Sequence, residues 1–166
     1  MTSSNIHLLE QGVNLLTQID DQIYSSAVAG VSTVGIGSHL RHCLDFYGNF
    51  LRGIEVGKVD YDLRERNELI EKDRAAAIAK IRETADCLNL ICVAGDSELL
   101  VKLEGEQVLS ESAWSRSSIK RELQFLLSHT VHHYALINVL LRLQGFQPSA
   151  DFGVAPSTLK YWQARA

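Results

Sequence analysis

His129 and His133 lie four residues apart in a stretch of helical periodicity, so their imidazoles leave one helix face about a turn apart. Two rings so placed can bind one metal ion. His39 and His42, three apart in an earlier stretch, also project from neighbouring positions and supply a candidate third ligand from a facing helix. A neutral three-histidine set suits Zn, Ni, Fe or Cu rather than the oxygen-seeking Mg and Ca. Zn and Ni are the leading candidates for a divalent transition metal, with Fe or Mn as alternates. Three protein ligands leave coordination positions open, as catalytic sites do, and an ion there would lower the pKa of water or polarise a substrate atom.

On the helical wheel His39 falls nearer the apolar stripe and His42 at its edge, so both stay candidates for the third ligand. His132 points away from the face shared by His129 and His133, and His7 has no partner visible in the sequence. Asp45, three residues beyond His42, is a candidate general base or a group that orients an imidazole. The segment Asp60-Tyr-Asp-Leu-Arg-Glu-Arg66 alternates. If it is extended, Asp60, Asp62, Arg64 and Arg66 share one side, and Arg64 with Arg66 can clamp a substrate carboxylate. In the competing reading, Asp62 pairs with one of these arginines and fixes the loop. Cys43, Cys87 and Cys92 form no CxxC pair and read as reduced, buried thiols, with Cys43 the candidate for reactivity because it adjoins His42.

These residues must be held by long elements. Apolar spacings of three and four predict helices over about 5–25, 36–54, 69–94 and from 115 or 117 to 144. Gly57, Gly95 and Gly145 mark helix ends. Both prolines, Pro148 and Pro156, lie near the C-terminus, so residues 1–147 contain no proline to interrupt a helix. The runs 99–103 and 107–110 flank Glu104-Gly-Glu and suggest a small hairpin, and 57–68 reads as a charged, extended connection. The expected fold is all-α: a four-helix bundle with a small β-hairpin insertion between the third and fourth helices. The long connections leave crossover and up-down orders both open. A length of 166 residues favours a single domain, 1–166, with the tail 146–166 packing on the bundle.

Hydrophobic residues at 46% and charged residues at 22% exclude disordered, collagenous and low-complexity classes. The formal charge of -4, without a dense basic run, argues against a nucleic-acid partner. No window approaches the roughly 18 apolar residues of a membrane span, so no membrane partner is expected. Met1 to His7 shows neither a basic leader nor an apolar run, which makes a cytoplasmic location the expectation.

His42-Cys-Leu-Asp45 on the second helix and His129-Thr-Val-His-His133 on the fourth resemble the DinB-like, or YfiT-like, family of four-helix-bundle metal-dependent enzymes. The resemblance covers most of the chain in order of elements. It implies His42, His129 and His133 as the metal ligands, which reverses the slight preference of the wheel for His39 and leaves His39 as the alternate. It also implies a hydrolase or thiol transferase acting on a small molecule, with a low-molecular-weight thiol among the candidate substrates. Many relatives follow the last ligand with Arg-Gly-Gln. This chain reads His133-Tyr-Ala-Leu, so no role of that segment transfers. The alternative from another class is a non-catalytic bundle that binds metal or a protein, and a homodimer through an exposed helix face is compatible with either.

Overall fold

The apolar spacings become helices in the computed structural model, which describes residues 2–91, 96–102 and 113–165. In chain order the elements are α1 (Thr2–Leu16), α2 (Asp21–Ser25), α3 (Ile36–Val56), β1 (Lys58–Val59), α4 (Glu68–Lys72) and α5 (Arg74–Leu90). There follow β2 (Glu98–Lys102), β3 (Trp114–Ser118), α6 (Ile119–Leu143) and α7 (Pro156–Gln163). The long helices α1 and α3 each pack against both α5 and α6. Their inner faces bury Leu9, Leu16, Leu40, Phe50, Ile81, Leu88, Leu123 and Leu126. No helix among the described residues is long and apolar enough to cross a membrane.

The expected four-helix bundle with a hairpin insertion is corrected here: the described residues form seven helices and a three-stranded mixed sheet. Two of the differences are helix breaks made by aspartate caps. The Asp20 carboxylate accepts from Ile23 N–H and starts α2, so the helix expected over 5–25 becomes two. Asp73 accepts from the N–H groups of Ala75 and Ala76 and starts α5, which divides the third expected helix after Lys72. Apolar periodicity runs on through such a break, because a capping side chain reorients the backbone without altering the sequence pattern.

The sheet is the larger difference. β1, inside the connection read as extended coil, pairs in parallel with β2 at Lys58 and Leu100 and at Val59 and Val101. β2 then pairs antiparallel with β3, from Glu98 opposite Ser118 to Lys102 opposite Trp114. The expected second strand of the hairpin, 107–110, lies outside the described residues. β3 instead uses Trp-Ser-Arg-Ser-Ser, the stretch where the fourth helix was expected to begin. Serine hydroxyls compete with helical hydrogen bonds and favour caps, and Ser118 does cap α6 by accepting from Arg121 N–H. In the tail, Pro156 opens α7 in its first turn, where a missing N–H costs nothing. Residues before α7 dock through Phe152, which stacks on Tyr134 at 4.8 Å, whereas α7 itself buries no residue.

A buried polar tie sets how α1, α3 and α6 sit together. Asn5 Nδ2 donates to the Leu123 carbonyl at 3.1 Å, and Tyr47 OH donates to Asn5 Oδ1 at 2.7 Å. The Thr130 hydroxyl lies 3.4 Å from Tyr47 OH and donates to the Leu126 carbonyl at 2.8 Å. Gly53 lets the end of α3 approach β1 closely. A Cβ at this position would lie 2.6 Å from Val59 Cγ2 and 2.7 Å from the Lys58 carbonyl oxygen. Gly53→Ala is therefore expected to lower unfolding stability in urea by about 1–3 kcal/mol through overpacking against backbone that cannot yield. Gly48→Ala is the control: its Cβ would meet only the Arg52 guanidinium, at 3.5 Å, and removing a mid-helix glycine should stabilise by about 0.5–1 kcal/mol. Equal effects of the two substitutions would show that the Gly53 contact is not limiting.

Candidate metal centre

Helix α3 carries His39 and His42, α6 carries His129, His132 and His133, and the two helices pack face to face. That packing brings His42, His129 and His133 together, with one ring nitrogen from each lying within 4.8 Å of the others. Ring centroids are 5.0 Å apart for His42 and His129, 4.6 Å for His42 and His133, and 4.7 Å for His129 and His133. All three side chains are partly exposed. The cluster is thus open to solvent on one side and backed by core on the other.

Neighbouring groups hold each ring. His39 Nδ1 sits 3.1 Å from His133 Nδ1 in a hydrogen bond, so one of the two carries the proton and the other accepts it. His39 is therefore a partner of His133, not a member of the three-nitrogen group. Phe46, one turn beyond His42, stacks on His129 at 4.3 Å and 19° and on Tyr61 at 5.0 Å and 16°. Tyr61 is anchored in turn by donating to Glu122 at 2.8 Å. Arg64 Nη1 lies 3.3 Å from His42 Nδ1.

Burial lowers the basicity of the whole set. Desolvation, reinforced by His129, Arg64, Arg41 and His39, brings His42 down to about 4. Desolvation with His132 and Arg64 brings His129 to about 4, and desolvation with the other histidines brings His133 to about 3. His39 is lowered as well, by burial and then His132. All are neutral near pH 7, the state that offers lone pairs to an ion. His129 Nε2 is buried and has no hydrogen-bond partner among the described residues. An orphaned imidazole nitrogen beside two other neutral imidazoles is what a transition-metal site presents before loading, and the donor set fits such an ion.

The other candidates are placed elsewhere or differently. Asp45 is buried, its carboxylate accepts from Arg41 at 2.8 Å, and Arg41 also holds Glu71 of α4 at 2.9 Å. Burial raises the Asp45 pKa, while Arg41 opposes that rise. Its oxygens are not part of the clustered ligand atoms. The segment 60–66 is not extended: Leu63 N–H donates to the Asp60 carbonyl and Arg64 N–H to that of Asp62. Arg66, at φ 51°, is exposed, whereas Arg64 is partly buried. The pairing of Asp62 with an arginine is replaced by Lys102 of β2, which reaches Asp60 at 3.3 Å and Asp62 at 3.5 Å. Cys43 is buried in the core, and burial pushes its thiol up to about 12, so it is not a reactive thiolate.

Sequence reasoning passed over Phe46, although its position four residues after His42 places it on the same helix face. It also passed over Lys102, a lone cation in an apolar run. Tyr61 left no local signal, because its stack on Phe46 joins segments far apart in the chain.

The histidine shifts carry a consequence for the metal-free protein. In the unfolded chain these side chains take up protons below about pH 6.5, whereas the folded site stays neutral until about pH 4. Their contribution to stability is therefore full above pH 6.5 and is lost as the pH falls through the window from 6.5 to 4. Thermal unfolding of chelator-treated protein should show its midpoint dropping across that window, and a flat midpoint would contradict the burial of neutral histidines.

No protein-family model matches the chain. FK506-binding protein 5 of Rhizopus delemar is 30% identical over 164 residues, an alignment that takes in 97% of this chain and 36% of that protein. The chain thus spans about a third of that relative's length, and the name, with its FK506 binding, describes the longer protein.

Proposed function

We propose that this protein is a metal-dependent enzyme in which His42, His129 and His133 hold one divalent transition-metal ion, in keeping with the DinB-like motifs His42-x-x-Asp45 and His129-x-x-x-His133. The observation that carries the reading is the convergence of three neutral imidazole nitrogens within 4.8 Å at a partly exposed face. An ion bound there supplies Lewis acidity and lowers the pKa of a water or thiol brought to it, which suits hydrolysis or thiol transfer on a small molecule.

The chain's own residues do the positioning. With His133 Nδ1 donating to His39 Nδ1, the hydrogen bond between them leaves the lone pair of His133 Nε2 for the ion. Phe46 and Tyr61 fix the plane of His129, whose buried Nε2 would hold the ion. Asp45 steadies the second helix turn through Arg41 and Glu71, which keeps His42 oriented. The buried tie through Asn5, Tyr47 and Thr130 holds the two ligand-bearing helices at fixed separation.

Elemental analysis of untagged protein, followed by titration with Zn or Ni, should find or restore about one equivalent of metal. Less than about a tenth of an equivalent with no uptake would refute the reading. His129→Ala should abolish uptake. His42→Ala should do so as well, whereas His39→Ala, which removes only the partner of His133, should weaken affinity by about 10-fold to 100-fold. The reverse order of His39 and His42 would overturn the ligand assignment. Turnover of thiols and electrophiles by metal-loaded protein separates an enzyme from a bundle that merely binds metal.

A further inference from the structure

Arg64 is held beside the three histidines by a loop fastened from several directions. Lys102 binds Asp60 and Asp62, Tyr61 bonds to buried Glu122, and Arg52 holds Glu65 at 2.6 Å. The guanidinium has no carboxylate within ion-pair distance among the described residues, and its Nε is buried without a hydrogen-bond partner. A half-buried, permanent cation with an orphaned donor is costly unless an anion completes it. Among the described residues its side-chain polar contact is Nη1 to His42 Nδ1 at 3.3 Å.

That contact and metal ligation exclude each other. Arginine only donates, so the hydrogen bond requires the lone pair of His42 Nδ1 and places the proton of the neutral ring on Nε2. Ligation through Nε2 moves the proton to Nδ1, where it would face the guanidinium N–H groups. Ligation through Nδ1 gives the ion the lone pair that Arg64 now uses. Either way, loading the site frees the Arg64 guanidinium next to a divalent cation, in a ligand set without a carboxylate.

We propose that Arg64 holds His42 in the metal-free protein and passes to a carboxylate group of a small-molecule ligand once His42 is ligated, so that metal and carboxylate bind cooperatively. The inference rests on the metal reading above and adds the substrate class to it. A monoanionic carboxylate fits better than a phosphate because, among the described residues, Arg64 is the one guanidinium without an ion pair that touches the three histidines. Arg66 is exposed in a left-handed backbone conformation, and Arg41 is occupied by Asp45 and Glu71. The planar edge of a single guanidinium matches the two oxygens of one carboxylate.

Reciprocity makes this measurable: a carboxylate that tightens metal binding is itself tightened by metal to the same factor. The probe is Co(II), whose visible absorption reports its ligands, titrated into full-length protein with and without acetate at constant ionic strength and corrected for cobalt acetate in solution. In the wild type, acetate should tighten Co(II) binding by about 5-fold to 20-fold. In Arg64→Gln, Co(II) should bind more tightly than in wild type without acetate, because the competing donor is gone, and the acetate effect should fall below about twofold. Arg64→Lys, which lacks the planar edge, should also lose most of that effect and serves if the glutamine variant does not fold. Absence of Co(II) uptake by the wild type would overturn the metal reading itself. Uptake that acetate does not change, an acetate effect of equal size in the variants, or a larger effect of inorganic phosphate would overturn the role of Arg64 and leave the metal reading standing.

Discussion

The packing of α3 on α6 decides what the histidines can do, because the cluster takes His42 from one helix and His129 and His133 from the other. The two faces are held at working distance by the buried chain of hydrogen bonds from the Leu123 carbonyl through Asn5 to Tyr47, with Thr130 beside it. Thr130 follows His129 directly, and Tyr47 lies five residues beyond His42, so the tie sits immediately behind the site. Fully satisfied buried polar groups of this kind fix one relative placement of helices, since any slip leaves donors and acceptors unpaired in a medium that cannot solvate them. The aliphatic core supplies most of the burial but would tolerate small shifts in register more readily.

Around that contact the site is built in layers of different chemistry. Aromatic stacking from Tyr61 through Phe46 orients His129, and a hydrogen bond from His39 orients His133. His42 meets a guanidinium, which favours neither a proton nor a cation nearby. The lowered basicity of all three rings follows first from burial and then from their histidine neighbours, with Arg64 adding to it at His42 and His129. Acidic groups in the neighbourhood are turned to other uses: Asp45 and Glu71 balance Arg41, while Asp60 and Asp62 balance Lys102. The result is a partly exposed cluster of neutral nitrogen donors with the Arg64 guanidinium beside it.

The small sheet has a positional role in this arrangement. β1 and β2 pair across 42 positions of sequence, as between Lys58 and Leu100, and that pairing brings Lys102 to the acidic start of the loop carrying Arg64. A segment that is too polar for a core element is thereby fixed by charge and by one buried tyrosine. Its turns at 60–64 replace the extended strand on which the expected pairing of Arg64 with Arg66 rested.

The long helices with the candidate ligands were legible from residue order alone, since α3 and α6 have apolar stripes of helical period and flanking cap or glycine signals that act within a few residues. The spacings of His39 and His42 and of His129 and His133 were legible for the same reason: intrahelical geometry is a local property. Breaks at Asp20 and Asp73 were not, because an aspartate is compatible with a helix interior and with a cap, and tertiary packing selects between them. The parallel strand β1 was not legible either, as its partner lies far along the chain and two residues carry no periodicity. Which of His39 and His42 lies among the ring nitrogens of α6, and that Arg64 rather than Asp45 touches His42, depended on the rotation of one helix against another and on a loop pinned by a distant lysine. Local sequence thus determined which faces exist on each element. Only the tertiary structure decided which faces meet, because that choice is made by contacts between residues that no short-range pattern relates.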